Sequence, residues 1–249
     1  MKIIAIIPAR MGSTRFPGKP LAQILGKPMI EHVYKRVALS KFISKTYIAT
    51  CDEEIRQAAA SFGAPVVMTA DTHERASDRV AEAIANIEGD LIVMVQGDEP
   101  MTYPEMIDVA VTPFQHDSKL GCVNLARRIE QEADYYDVNT IKVVMNQQGD
   151  ALYMSRQPIP TLSKSGFSAT QAYKQVCIIP FRRDVLLQYT QLPPTPLEKL
   201  ESIDMLRLIE HGYPVKMVET HFNSQAVDTE ADLVRVAKLM ETDPLLSQY

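Results

Sequence analysis

The chain has 249 residues, of which 46% are hydrophobic and 23% charged, and its formal net charge is −5. These are ordinary globular values, and the acidic balance argues against a general nucleic-acid-binding protein, which needs a basic face. Cys51, Cys122 and Cys177 show no CxxC spacing. We therefore expect buried free thiols in a reducing, cytoplasmic setting rather than disulfides or zinc, with neither a signal peptide nor a membrane span.

A basic loop follows the first predicted strand. The apolar run Ile3–Ile7 predicts a buried strand, and Pro8–Pro20 (PARMGSTRFPGKP) follows it with Arg10, Arg15 and Lys19. Between the cations lie two glycines and two hydroxyl residues, Gly12, Ser13, Thr14 and Gly18. Glycine lets backbone N–H groups approach an anion, and Arg and Lys bind phosphate oxygens. The loop is a candidate triphosphate site, although a solvated basic loop has the same composition and neither GxxxxGK[ST] nor GxGxxG spacing is present.

Helix and strand patterns alternate over the first hundred residues. After the first strand we predict a helix over Lys27–Leu39, a strand over Lys45–Thr50, a helix over Glu53–Phe62, a strand over Pro65–Met68, a helix over Asp78–Ile87 and a strand over Leu91–Val95. The fully apolar last strand is typical of a central position in a parallel sheet. This alternation predicts a doubly wound α/β sheet with its ligand at the carboxyl ends of the strands, where the basic loop and Gln96–Pro100 (QGDEP) both fall.

The second half of the chain is less regular. We predict strands over Gly121–Ala126, Thr140–Met145, Ala151–Ser155, Val176–Phe181 and Val215–Val218, helices over Arg183–Gln191, Leu197–His211 and Asp228–Glu241, and a polar loop over Pro158–Gln171. No internal repeat or clear linker divides the sequence. We therefore predict a single domain over residues 1–249 with an inserted β-rich arm at about 150–185.

The carboxylates of Asp98 and Asp228 are candidates for a metal site. Asp98 and Glu99 follow the apolar strand directly, and Gly97 beside them lets a ligand pass close. Asp228 opens the last predicted helix and can face the same crevice. Two separated carboxylates together with phosphate oxygens are a ligand set that Mg²⁺ accepts. The alternatives are a turn or cap role for Asp98 and an N-cap role for Asp228, shared with Thr229.

Five segments in this order, PARMGSTRFPGKPL, QGDEP, KVV…ALYMSR, TPLEKLE and VDTEADL, resemble the 3-deoxy-manno-octulosonate cytidylyltransferases, and the similarity covers nearly the whole chain. That family makes the CMP-sugar donor for lipopolysaccharide. The resemblance implies a Rossmann-like α/β fold of the nucleotide-diphospho-sugar transferase type, with a mostly parallel central sheet and a small β-rich dimerisation arm. It also implies a homodimer that uses Mg²⁺ and converts CTP and a keto-deoxy sugar acid into CMP-sugar and pyrophosphate.

The resemblance further implies roles for individual residues. Arg10, Arg15 and Lys19 would hold the triphosphate, Asp98 and Asp228 would bind Mg²⁺, and Arg10, Lys19 and Asp98 would be catalytic. The implied nucleotide-binding positions are Ala9, Arg10, Gly12, Ser13, Arg15, Lys19, Ser77 and Arg79. The implied sugar-acid positions are Arg15, Gln96, Arg156, Gln175, Glu201 and Asp204. By residue type alone, Arg156 is equally a surface cation, Glu201 a helix-face charge and Gln96 a loop amide.

Three segments depart from the family pattern. The family usually reads SGTDR or SGTER where this chain has RASDR (Arg75–Arg79). It has a histidine and a small, Gly-containing run where this chain has Lys174-Gln175 and Val176–Pro180, and a Glu-Gln pair where this chain has Asp204-Met205. The last two changes fall where the sugar should lie. We hypothesise that the acceptor is a modified relative such as 8-amino-3,8-dideoxy-manno-octulosonate, with neutral drift as the alternative.

Other chemistries have less support. The five histidines, His32, His73, His116, His211 and His221, lack metal-binding spacing and are expected to be surface or helix residues. Ser13 and Ser155 lack a GxSxG context, which argues against a serine hydrolase. Another nonulosonic or keto-deoxy sugar acid is an alternative acceptor. The rival functions are a glycosyltransferase, because QGDEP echoes an acidic metal motif, and a non-catalytic nucleotide sensor.

Overall fold

The structure, a computed structural model, describes residues 1–13 and 15–249, apart from the side chain of Ala169. Thr14, predicted as a hydroxyl donor of the basic loop, lies outside the described residues. The chain divides into two compact units. The first unit comprises Met1–Asp108 and Asn223–Tyr249, and the second unit comprises Val109–Phe222. The single domain with an inserted arm at about 150–185 stays a prediction.

The regular elements alternate between strands and helices along most of the chain. In chain order they are β1 (Ile3–Pro8), β2 (Gln23–Ile24), β3 (Lys27–Pro28), α1 (Met29–Ala38), β4 (Lys45–Thr50), α2 (Glu53–Ser61), β5 (Val66–Met68), α3 (Ala76–Ala83), β6 (Leu91–Val95), α4 (Pro104–Val111), β7 (Val123–Arg128), α5 (Glu132–Tyr136), β8 (Lys142–Met145), β9 (Ala151–Ser155), β10 (Tyr173–Val176), β11 (Ile178–Arg182), α6 (Arg183–Gln191), α7 (Pro196–Glu201), α8 (Met205–Glu210), β12 (Lys216–Glu219) and α9 (Glu230–Met240).

A parallel sheet forms the centre of the first unit. Strand β1 lies between β4 and β6 and pairs in parallel with both, and β4 pairs in parallel with β5. Every residue of β1 and β6 is buried, as their uninterrupted apolar sequences predict. The chain proceeds from β1 through β4 to β5 on one side and then returns to β6 on the other. The loops after β1 and β6 therefore flank a topological switch point, where α/β proteins bind ligands.

The first predicted helix begins two residues later than its apolar spacing indicates. Lys27 and Pro28 pair with Ile24 and Gln23 in a short antiparallel hairpin, so Pro28 is extended and α1 begins at Met29. From there Met29, Ile30, Val33 and Val37 are fully buried at helical spacing. The predicted α/β fold with a mostly parallel sheet is confirmed, and the β4, β6, β9 and α6 boundaries match the predicted ones.

A mixed sheet organises the second unit. Its strand order is β12-β7-β10-β8-β9, with β12 parallel to β7 and the other pairs antiparallel. A small apolar cluster of Ile129, Tyr135 and Ala172 packs with the half-buried Leu162 and Phe167. The segment at about 150–185 thus contains three strands and a short 3-10 turn at Phe167–Ala169, and its role as a dimerisation arm stays a prediction.

Two predicted elements of the second unit are each divided in two. The predicted strand Val176–Phe181 is interrupted at Cys177, where β10 ends and β11 begins. The predicted helix Leu197–His211 breaks at Ser202, whose φ of 54° is left-handed, so that α7 and α8 form a helical pair. Periodicity did not reveal this break because both halves keep helical apolar spacing.

Helices α4 and α5 and the β2–β3 hairpin were not predicted. All three cysteines are free, but only Cys122 is buried, because Cys51 and Cys177 are partly exposed. Burial raises the pKa of the Cys122 thiol. Among the described residues, no helix combines the length and the apolar character that crossing a membrane would require.

Candidate active site

Two hydrogen bonds hold the basic loop after β1 in place, and both involve the backbone of Met11. Met11 N donates to Asp52 Oδ2 at 2.7 Å, and Met11 O accepts from Gly18 N at 3.1 Å. Gly18 has a φ of 71°, a left-handed conformation that glycine adopts without steric cost. Asp52, at the start of α2, was not singled out from the sequence. Its position directly after β4, at the same sheet edge, is the signal that identifies it.

Gly97 allows the loop after β6 to approach the end of β1. A Cβ atom at this position would lie 2.9 Å from Pro8 O and 3.3 Å from the Ile30 side chain. Real Cβ atoms do not approach a carbonyl oxygen this closely, so any larger residue would push the two loops apart. Gly97 thus brings the QGDEP carboxylates next to the basic loop.

Four of the predicted site residues meet in one cluster. Lys19 Nζ lies 2.7 Å from Asp98 Oδ2 and 3.5 Å from Asp228 Oδ1, and Arg15 Nη2 lies 2.9 Å from the same Asp228 oxygen. The Lys19 side chain is 13% exposed, against 30% for Asp98 and 24% for Asp228. Charges at this depth are less screened than surface ion pairs, so their mutual attraction is correspondingly stronger.

Asp228 is not the N-cap of the last helix, as its position had also allowed. Thr229 caps α9, with its side chain accepting from Asp232 N, and Asp232 completes a capping box. Asp232 Oδ2 accepts from Asp228 N at 3.2 Å and from Thr229 N at 3.0 Å. Burial alone would raise the pKa of Asp232, but hydrogen bonds led by the one from Thr229 outweigh it and lower the pKa. The Asp228 carboxylate is therefore left to contact Arg15 and Lys19.

A cavity of about 330 Å³ opens beside this cluster. It is lined by five cationic side chains, Arg10, Arg15, Lys19, Arg75 and Arg79, and by two carboxylates, Glu74 and Asp98, together with Ala9, Gly12, Ser13 and Gln96. Arg10 is exposed and, among the described residues, makes neither a hydrogen bond nor an ion pair. This excess of positive charge suits a polyanionic ligand such as a triphosphate.

The RASDR segment contributes Arg79 to the cavity but not Ser77. Arg79 is 3% exposed, donates to Thr69 Oγ1 and Ala70 O, and keeps an Nη2 without a hydrogen-bond partner among the described residues. A buried guanidinium with an unused N–H at a cavity wall is a ready donor to a ligand. Ser77 lies on the buried face of α3 and is absent from the described cavity wall. The predicted contact of Ser77 with nucleotide stays a prediction.

His73 and Glu74 also line the cavity, whereas the sequence indicates only a surface or helix position for His73. The His73 ring contacts the Glu82 carboxylate, which also accepts from Ala70 N at 3.0 Å. Burial would raise the pKa of Glu82, but these hydrogen bonds lower it. The segment follows the carboxyl end of β5, which is the feature that could have identified it. His32 is a fully buried residue of helix α1, which agrees with the expectation of a surface or helix position.

The remaining predicted sugar-acid residues lie in the second unit, where Glu201 and Arg156 form hydrogen bonds with other residues of the protein. Glu201 accepts from Tyr153 Oη at 2.9 Å, Ser155 Oγ at 2.7 Å and Arg156 N at 2.8 Å. Burial would raise the pKa of Glu201, but these three donors lower it. Arg156 donates from its guanidinium to the carbonyls of Glu201, Val138 and Ser202.

The other two sugar-acid candidates of this unit, Gln175 and Asp204, are partly exposed and take part in local hydrogen bonds. Gln175 Nε2 donates to Asn124 Oδ1 at 2.6 Å. Asp204 stands in the break before α8, and Tyr189 Oη donates to its carbonyl at 3.3 Å. Their roles toward a sugar acid stay predictions.

The chemistry of the carboxylates fits a divalent cation that arrives with a phosphate ligand. Asp98 and Asp228 both contact one ammonium group, so their oxygens converge on a single cation position. Within the described residues, no group of three or more His, Cys, Asp or Glu side chains converges as a complete metal site. Two carboxylates with remaining positions for phosphate and water oxygens are the incomplete set that Mg²⁺ accepts in nucleotide enzymes.

A parallel sheet with cationic and acidic loops at its switch point is the arrangement of a nucleotidyltransferase. The family model described as cytidylyltransferase matches residues 4–220. A "3-deoxy-manno-octulosonate cytidylyltransferase" of Geobacter metallireducens is 45% identical over 247 residues, covering 96% of this chain and 97% of the relative. A protein of the same name from Solibacter usitatus is 45% identical over 244 residues, covering 98% and 96%. The chain belongs to the cytidylyltransferase family.

Solved structures agree with this assignment. A "CMP:2-keto-3-deoxy-manno-octonic acid synthetase complexed with CTP" superposes with a TM-score of 0.90 and 38% identity, covering 97% of this chain and 99% of the other. A 4-diphosphocytidyl-2C-methyl-D-erythritol synthase from Anaerococcus prevotii, 11% identical with a TM-score of 0.65 and 96% coverage of each chain, shares the fold alone. The expected enzyme class and family are confirmed.

Proposed function

We propose that this enzyme transfers CMP from CTP to 3-deoxy-manno-octulosonate, with Mg²⁺ held by Asp98 and Asp228. The observation that carries the proposal is the meeting of Lys19 with Asp98 and Asp228 beside a cavity lined by five cationic side chains. The names of the relatives, and the CTP bound to the solved structure with a TM-score of 0.90, support the choice of nucleotide and sugar.

The reaction joins the anomeric oxygen of the sugar acid to the α-phosphorus of CTP. The bond from that phosphorus to the bridging oxygen of the β-phosphate breaks, the electron pair leaves with pyrophosphate, and the proton of the sugar hydroxyl passes to solvent. Arg10, Arg15 and Lys19 bind the triphosphate oxygens and neutralise the charge that moves onto pyrophosphate. When bound, Mg²⁺ polarises the α-phosphate and lowers the pKa of the sugar hydroxyl.

Two of the predicted sugar-acid residues, Arg156 and Glu201, belong to one hydrogen-bonded group within the second unit. Glu201 accepts from the Tyr153 and Ser155 hydroxyls and from the Arg156 backbone N–H, and the Arg156 guanidinium donates to Glu201 O, so these bonds orient the four side chains. Such a prearranged group suits recognition of a polyhydroxylated acid because little order is lost on binding. The departures at Gln175 and Asp204 keep the 8-amino sugar acid as a predicted alternative substrate.

We also propose an assembly and a cellular location. A homodimer formed through the segment at about 150–185, working in the cytoplasm, follows the family expectation, and three free cysteines suit a reducing compartment. Light scattering during size-exclusion chromatography tests the dimer. A mass of about one 27.9-kDa chain would contradict it.

A pyrophosphate-release screen tests the function. The enzyme is mixed with Mg²⁺, one of the four ribonucleoside triphosphates, and a panel of 3-deoxy-manno-octulosonate, its 8-amino analogue and other keto-deoxy sugar acids. We expect release only with CTP together with an octulosonate. A nucleotide sensor would release none, and a glycosyltransferase would instead consume the finished CMP-sugar. Equal or faster turnover of the plain sugar would remove the modified-substrate hypothesis.

A further inference from the structure

Glu99 is the carboxylate of the QGDEP segment that the proposed chemistry does not use. The residue is 7% exposed, and its side chain accepts a hydrogen bond from Ser224 Oγ, 125 positions further along the chain. Burying a carboxylate is costly unless hydrogen bonds replace its lost water. The contact with Ser224 therefore both stabilises Glu99 and ties the segment 223–228 to the loop after β6.

Two further interactions hold the same segment. Val227 N donates at 2.9 Å to the backbone carbonyl of Asp98, whose side chain is one of the two proposed metal ligands. The Val227 side chain is fully buried in a cluster with Met101 and the α9 residues Val236 and Met240. The next residue along the chain is Asp228, so its backbone is fixed from the side of Ser224 and Val227.

The capping box of α9 fixes Asp228 from the other side. Asp232 accepts from Asp228 N, and Thr229 takes the N-cap position that Asp228 would otherwise fill. Held at both ends, Asp228 directs Oδ1 to Arg15 Nη2 at 2.9 Å and to Lys19 Nζ at 3.5 Å. The contact between Glu99 and Ser224 lies four residues before this carboxylate in the chain.

We propose that Glu99 and Ser224 are a positioning pair that fixes Asp228 in the active site. Glu99 and Ser224 are not among the described residues that line the cavity. The pair therefore acts through the position of Asp228 and not by touching the nucleotide. This inference rests on the proposed function, because the placement of Asp228 matters only if its carboxylate faces a metal–triphosphate complex.

The test compares Ser224→Ala, Asp228→Asn and the double variant. Misplacing a reacting group by about 1 Å costs up to about 100-fold in rate, so we expect S224A to lower kcat/KM for CTP by about 10-fold or more. In the D228N background, S224A should have no further effect, because it acts only through Asp228. Glu99→Gln keeps a side-chain oxygen that accepts from Ser224 and should retain most of the activity.

A second readout is independent of turnover. Binding of Mn²⁺ in the presence of CTP, without sugar acid, is followed by electron paramagnetic resonance. We expect S224A and D228N each to weaken it, again without additivity. The matched control is Ser247→Ala, since this hydroxyl of the same unit donates locally to Pro244 O at 2.9 Å. Thermal unfolding is measured for every variant.

The outcomes separate the two proposals. An inactive wild-type enzyme would refute the proposed function, while the Mn²⁺ measurement would still report on the positioning pair. Wild-type-like S224A, or an equal loss from S224A with and without Asp228, would overturn the pair and leave the function intact. Should S224A fail to fold, Ser224→Cys supplies the same comparison with a weaker donor.

Discussion

Replacing Lys19 by methionine removes the cation that joins the two carboxylates of the site. Its ammonium lies 2.7 Å from Asp98 and 3.5 Å from Asp228, in a side chain that is 13% exposed. Methionine keeps an unbranched apolar side chain of similar length, so the substitution mainly removes charge and hydrogen-bond donors. The change therefore isolates what the Lys19 charge does in the site.

The size of the effect follows from this placement. Opposite unit charges 4 Å apart attract by about 4 kcal/mol at an effective dielectric constant of about 20. In the proposed CTP complex the Lys19 ammonium group binds the triphosphate oxygens. Loss of one preorganised donor of this kind costs about 10²- to 10³-fold in rate. We expect K19M to lower kcat/KM for CTP by this factor. The effect of K19M on metal binding without nucleotide has the opposite sign. The two carboxylates are no longer neutralised by the ammonium group, so we expect the affinity for Mn²⁺ to rise at least about 10-fold.

The assays are coupled pyrophosphate release and Mn²⁺ binding without nucleotide. Lys41→Met is the matched control, because Lys41 is 73% exposed and pairs with Asp108 at 3.7 Å in the same unit. Exposed pairs of this kind contribute little, so K41M should resemble the wild type in both assays. The reasoning would be refuted if K19M used CTP as well as K41M does, or bound Mn²⁺ no better.

Three further predictions concern stability and the basic loop. Arg207→Met removes the cation that donates to the fully buried Glu198 at 2.8 and 2.6 Å, and should lower the free energy of unfolding by about 3–5 kcal/mol in urea denaturation. The double variant with Glu198→Leu should recover most of that loss. Burial lowers the pKa of His32 in the folded protein, so below about pH 6.5 the unfolded chain binds a proton that the folded protein does not. The free energy of unfolding should therefore fall by up to about 1.4 kcal/mol for each pH unit of acidification. His32→Gln should flatten this slope. Asp52→Ala removes the acceptor of Met11 N–H and should raise KM for CTP about 10-fold, with rescue by Asp52→Asn.

Each of these three has a contradicting result. Full stability of R207M would mean that the buried pair is not strongly coupled. An unchanged acid slope in H32Q would assign that slope to other groups. For the loop, the neighbouring exposed Glu53→Ala is the control, and an equal loss in E53A would show that Asp52 acts through the start of α2 rather than through Met11.

The parallel sheet and its ligand-binding edge could be predicted from sequence because the signals are local. The apolar runs of β1 and β6 and the exact bounds of β4 follow from residue type and periodicity, and both site loops follow directly from strands. The breaks at Cys177 and Ser202 could not, because they depend on which partner each half meets. The left-handed backbone conformation at Ser202 occurs at a residue other than glycine, so the sequence gives no signal for it.

The site shows the same division. Arg10, Arg15, Lys19 and Asp98 lie in two short segments whose meeting is set by sheet topology, so sequence order was enough. The choice between capping and site roles for Asp228 was open, because only the structure reveals that Thr229 and Asp232 perform the capping. The contacts of Glu99 with Ser224 and of Asp52 with Met11 span 125 and 41 positions, respectively, and no local pattern encodes them.

The central claim is that Lys19, Asp98 and Asp228 converge on one metal–CTP complex. A crystal structure with Mn²⁺ and CTP, recorded for anomalous scattering from manganese, measures this directly. The account predicts an anomalous peak about 2.1 Å from an oxygen of each carboxylate, with the Lys19 ammonium moved to a phosphate oxygen. A peak elsewhere, with Lys19 still bridging Asp98 and Asp228, would contradict it.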